Sequence, residues 1–156
     1  MTKLEEIRIR EVSRVLNFYH ETFTEYLAVT ISFTESLPEE VNNQIRDAFT
    51  HISRAQNATT QASIREEARL AISHIERGNR DCLKASIIKA RLELDNLIAD
   101  AVFHHGFLTP SLKTAFKDLV EARKQAYVLE TRGDNNQVKT LEEILRMTMH
   151  LSDEIR

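Results

Sequence analysis

The chain offers very few places at which regular structure can stop. It contains 3 Gly and 2 Pro in 156 residues, and these residues and clusters of turn-forming polar ones mark only four breaks. The first is Ser36-Leu37-Pro38, followed by Glu39 and Glu40, which suit the positive end of a helix dipole. The second is the Gln, Asn and Thr cluster from Gln56 to Thr60. The third runs from Gly106 to Pro110, where Gly106 can end one helix, Thr109 can cap the next and Pro110 can open it. The fourth is Arg132-Gly133-Asp134-Asn135-Asn136. No segment alternates with a two-residue period over a strand's length. The expected elements are therefore helices near 3–35, 39–56, 62–105, 110–131 and 137–155. The expected fold is all-α, an elongated helical bundle of about five helices in one domain over 1–156, with long first and third helices.

The faces and lengths of these helices constrain their packing. In the first, Leu4, Ile7, Val12, Val15, Tyr19, Phe23 and Tyr26 form a broad apolar side opposite Glu6, Arg10, Arg14 and Glu21. A stripe this wide packs against two elements. From Leu83 to Phe103 the third helix is apolar nearly all round and is expected to be central. At 1.5 Å per residue an unbroken third helix is about 66 Å long, enough for two shorter helices end to end. Gly78-Asn79 is its expected kink or break. The wide apolar faces lead to the expectation of a homodimer.

Composition excludes several classes. Hydrophobic residues make up 42% and charged residues 29%, a globular balance. No apolar run reaches the roughly 18 residues of a membrane span, and the charged first dozen residues are unlike a secretory signal. The single Cys82 precludes an intrachain disulfide and fits a reducing, cytoplasmic setting. A net charge of −3 argues against nucleic-acid binding by the whole surface.

A duplicated segment is the most informative local pattern. Arg46-Asp47-Ala48-Phe49-Thr50-His51-Ile52-Ser53-Arg54 matches Arg69-Leu70-Ala71-Ile72-Ser73-His74-Ile75-Glu76-Arg77 at Arg, Ala, His, Ile and Arg. The two copies lie on the two arms of one helical hairpin. Val41, Ile45, Ala48, Ile52 and Ala55 form an apolar seam on one arm, and Ile64, Ala68, Ala71 and Ile75 form its counterpart. With the turn centred near Thr60, Arg46 comes level with His74 and His51 with Arg69. Each imidazole would then neighbour a cation, which disfavours its charged form. Between Arg46 and Arg91 nine Lys or Arg face five Asp or Glu, a net of +4 that leaves −7 for the remainder. The hairpin 39–91 thus carries a basic face made by Arg46, His51, Arg54, Arg69, His74 and Arg77, suited to an acidic protein segment, a phosphate-bearing ligand or RNA. The same pattern also describes an ordinary solvated face, with Glu66, Glu67, Glu76 and Asp81 pairing the arginines.

Arg-x4-His on a helix of an all-α, dimeric protein resembles the HEPN superfamily. The match is carried by Arg46-Asp47-Ala48-Phe49-Thr50-His51, with a polar residue after the Arg. Arg69 to His74 keeps only the spacing, because Leu70 is apolar. The resemblance implies a metal-independent ribonuclease assembled across a dimer. In it Arg46 would hold the scissile phosphate and His51 would assist attack by the 2′-hydroxyl. The leading reading remains a non-catalytic, all-helical interaction protein with no catalytic residue assigned.

Other chemistry is poorly supplied. No His has a Glu three residues before it and no His-x3-His pair exists, so neither a di-iron bundle nor another helical metal site is expected. His104 and His105 point about 100° apart at an expected helix C-terminus. Cys82 reads as packing. Phosphate loops and nucleophile elbows are missing, and no cofactor is expected. Aromatic content of 6% without Trp gives no stacking platform for single strands.

Overall fold

The computed structural model describes the backbone of residues 1–105, 109–132 and 137–155, with side chains there except at 101, 103–105, 126, 127 and 129–132. Among the described residues every regular element is helical, and the fold is an all-α bundle. The elements are α1 (Lys3–Phe18), a π-helical turn (Tyr19–Phe23), α2 (Thr24–Thr34), α3 (Glu39–Asn57), α4 (Gln61–His105), α5 (Pro110–Arg132) and α6 (Gln137–Ile155). The first two expected stops lie between α2 and α3 and between α3 and α4. At the third stop Pro110 opens α5 behind Thr109, while Gly106 and, at the fourth stop, Gly133 to Asn136 fall outside the described residues. No helix is long and apolar enough to cross a membrane among those described. The chain divides into two compact units, Met1–Cys82 and Leu83–Arg156.

In the first unit the helix ends are set by local chemistry. Thr2 and Glu5 form a reciprocal capping box at the start of α1. Glu35 ends α2 in the left-handed region at φ 58°. Pro38 stands just before α3 rather than inside it, and its carbonyl accepts from the Asn42 amide. Thr60 caps α4, its hydroxyl accepting from the Ser63 amide at 3.1 Å. Arg8 donates from Nη2 to the Ala58 carbonyl at 2.9 Å and so places a cation at the C-terminal end of α3.

The expected seam is present. Val41, Ala48 and Ala55 on α3 and Ile64, Ala68, Ala71 and Ile75 on α4 are all buried. Small residues on both arms let the helices approach closely, and Val15 and Phe23 from the first helical run close the core over them.

Two expectations for the long helices need correction. The first run is not uniform α-helix, because the π turn at Tyr19–Phe23 widens it by one residue. Nor is α4 broken at Gly78, since its helical backbone continues through that residue. The glycine answers a packing need instead. A Cβ at Gly78 would lie 2.5 Å from Cε2 of the buried Phe23 ring.

The second unit packs the rest of α4 with α5 and α6. Leu83, Ile87, Ala90 and Leu94 of α4, Leu119 of α5 and Leu141, Ile144, Leu145 and Leu151 of α6 are buried. Thr148 and Ser152 are also buried, and each hydroxyl donates to the carbonyl four residues back, at 2.8 and 3.0 Å. The expectation that α4 is covered all round fails here. Ile88 is 62% exposed and Leu92 57%. Two neighbouring helices cover one side of a cylinder, and the apolar residues on the other side stay in contact with solvent.

Candidate functional site

The duplicated segment brings its two histidines together. His51 from α3 and His74 from α4 stack with ring centroids 5.2 Å apart and planes inclined by 22°. Each is held through Nδ1 by the opposite arm. His51 meets Glu67 Oε2 at 2.7 Å, and His74 meets Gln44 Oε1 at 2.8 Å. The expected partners were Arg69 and Arg46, each two residues further along its arm. The helical turn is centred nearer Thr59 than Thr60, and a one-residue move of the centre shifts every cross-arm pairing by two. Two residues turn a helix by about 200°, so a carboxylate and an amide face the imidazoles and the arginines swing outward.

The arginines keep to their own arms. Arg46 pairs with Asp47 at 3.2 Å and Arg69 with Glu66 at 2.7 Å, with arginine side chains 69% and 62% exposed. Arg77 donates to the Ser73 carbonyl and hydroxyl, both at 3.3 Å, and Arg54 is exposed. Of the six residues of the expected basic face, the structure therefore joins His51 with His74 and leaves the four arginines on the solvent side.

Electrostatics follow from these positions. Burial holds the His74 imidazole below its ordinary value, Arg77 and His51 push the same way, and Asp47 opposes them. The arginine that depresses His74 is thus the one on its own helix, one turn on. Arg69 holds the Glu66 carboxyl below the usual carboxylate range. Cys82 is buried and its thiol is pushed up to about 11, chiefly by burial, which suits packing and not nucleophilic chemistry. Among the described residues no group of three His, Cys, Asp or Glu is placed to hold a metal ion.

Sequence reasoning missed a concavity. In the second unit a groove of about 650 Å³ opens between α4, α5 and α6. Its floor is Ile87, Leu141 and Ile144, and its cations are Lys84, Arg123 and Lys124. Only the unusual apolar breadth of α4 after Leu83 hinted at it.

No protein-family model, no curated protein and no solved structure matches the chain.

Proposed function

We propose that the chain is a non-catalytic, all-helical binding protein, a homodimer, that engages an acidic or phosphate-bearing partner through the hairpin of α3 and α4. The observation that carries this reading is the division of labour in the duplicated segment. The imidazoles of His51 and His74 are tied down across the arms, while the guanidinium groups of Arg46 and Arg69 stand in solvent beside single carboxylates. Exposed ion pairs of this kind are weak, so an incoming anion can displace Asp47 or Glu66 at small cost. The exposed apolar side chains Ile9, Leu16, Val29 and Ile31 on the first helical run support the dimer. Fluorescence anisotropy with a labelled acidic peptide, a short polyphosphate and a single-stranded RNA tests the binding. One of the three should bind, and reversing Arg46, Arg69 and Arg77 to Glu should weaken it about tenfold or more. Equal binding by the reversed variant would end this reading. Sedimentation tests the dimer, and an 18.0 kDa species at every concentration would remove it.

A second reading, a HEPN-type metal-independent ribonuclease, draws on one contact. A carboxylate on His51 Nδ1 favours the tautomer that leaves Nε2 as a proton acceptor, the form a general base requires. Arg46 would then hold the phosphate. RNA cleavage in chelator, lost in both Arg46→Ala and His51→Ala with the fold intact, supports it. No cleavage by the wild-type chain alone removes it.

A further inference from the structure

Three buried polar atoms of the described chain make no hydrogen bond: Arg8 Nε, Asn79 Oδ1 and Gln137 Nε2. The last of these belongs to a side chain that lines the groove of the second unit. Gln137 is only 5% exposed. A buried amide N–H without an acceptor costs free energy, and a ligand oxygen arriving from the groove would recover it.

The rest of the lining agrees with one kind of ligand. Ile87, Leu141 and Ile144 make a buried apolar floor, and Ile88, Val120 and Val128 raise it into an exposed rim. Among the described residues, the charged ones that line the groove are all cations, Lys84, Arg123 and Lys124. Their carboxylate neighbours stand outside it: Glu121 lies 3.4 Å from Lys124, and Asp95 acts on Arg123 more weakly than burial and Arg91, which together hold that guanidinium below its ordinary value. A cation whose charged form is disfavoured gains from an added anion. Arg123 and the Gln137 amide both offer flat N–H donors, which match the two oxygens of a carboxylate. A volume of about 650 Å³ falls in the range of small-molecule sites. A second copy of the chain is disfavoured, because a two-fold contact across this rim would set its cations against their own counterparts.

We propose that the groove between α4, α5 and α6 is a binding site, independent of the hairpin, for an amphiphilic carboxylate. Its head would sit at Gln137, Arg123 and Lys124, and its apolar body would lie along Ile87, Ile88 and Leu141.

Isothermal titration of the full chain with decanoate, held below its micellar concentration, tests this against decan-1-ol and decyltrimethylammonium. Decanoate should bind saturably, one molecule per chain. The alcohol should bind about tenfold more weakly, and the cation more weakly still. Arg123→Gln should cost decanoate about tenfold in affinity, as should Gln137→Leu, both with unchanged circular dichroism. Val120→Trp should block the groove. Arg46→Glu with Arg69→Glu should leave decanoate binding unchanged, which separates this site from the hairpin. Three outcomes overturn the proposal: no saturable binding of decanoate, equal affinity for all three probes, or full affinity in Arg123→Gln. A dimer that Ile88→Asp dissociates, with no decanoate binding, would assign the groove to a second copy instead.

Discussion

The two halves of α4 belong to different compact units and treat their apolar residues in opposite ways. In the first unit the residues that face α3 are Ala68 and Ala71, flanked by Ile64 and Ile75, and all four are buried. Small residues there bring the arms together, and His51 and His74 at the seam's edge find partners across it. In the second unit the corresponding stretch is bulky. Ile87 is buried but Ile88 and Leu92 stand in solvent, and Nε2 of the buried Gln137 amide has no partner. The lesson is about size and not polarity. A helix whose contact residues are small can be closed over by one neighbour. One with large residues around most of its circumference holds its neighbours apart and leaves a groove.

The contrast breaks most easily at Phe23. Truncating this buried ring to Ala should cost about 3–5 kcal/mol in urea unfolding, whereas Ile88→Ala should stay within about 0.5 kcal/mol. Equal costs would mean that the first unit is no better closed than the second. Gly78→Ala comes next. Helix propensity alone would favour Ala by about 1 kcal/mol, yet the new Cβ would drive into the Phe23 ring, so a net loss of about 1–3 kcal/mol is expected. Phe23→Leu in the Gly78→Ala background should return part of it. A stabilised Gly78→Ala would show that the ring yields freely.

The cross-arm bond to His51 is a smaller effect. Glu67→Gln should cost about 1 kcal/mol, and Arg69→Gln on the exposed side should leave the melting temperature unchanged. The reverse order would put the arginines, and not the imidazoles, in charge of the hairpin. The smallest effect concerns pH. His74 is held below its ordinary value, so the unfolded chain takes up the proton first. Stability from this source is complete above about pH 6.5 and falls as the pH drops from there through the folded-state value. His74→Gln should flatten that part of the stability profile, and a profile that rises on acidification would reverse the assignment.

How far the sequence announces this structure depends on the feature. The helix ends beside Pro38, Thr60 and Pro110 are legible because so few residues can stop a helix here, and each stop carries its own chemistry. The seam is legible because Ala48, Ala68 and Ala71 recur with helical spacing. Register across the hairpin is not. It depends on the turn's centre to within one residue, and that single step decides whether Arg46 or Gln44 meets His74. The π turn is hidden because Val15, Tyr19 and Phe23 look the same whether the turn between them is narrow or wide. The groove is hidden for a different reason. Val120 and Gln137 are far apart in sequence, and nothing local says which side of α4 they leave bare.

The π turn at Tyr19–Phe23 also makes the first helical run a device with a built-in phase. Everything after it is rotated relative to everything before it, and the hydroxyl of Thr30, 3.0 Å from the Cys82 carbonyl and 2.8 Å from that of Tyr26, reads the outcome of that rotation. Straightening these five residues into ordinary α-helix would turn the segment from Thr24 to Thr34 by about 100°, whereas deleting one of them would remove the bulge and leave the phase nearly unchanged. Length variation is therefore not neutral in this chain. A one-residue gain or loss would be tolerated between α3 and α4 far more readily than inside α1 and α2, where it changes which side chains the run presents to its core.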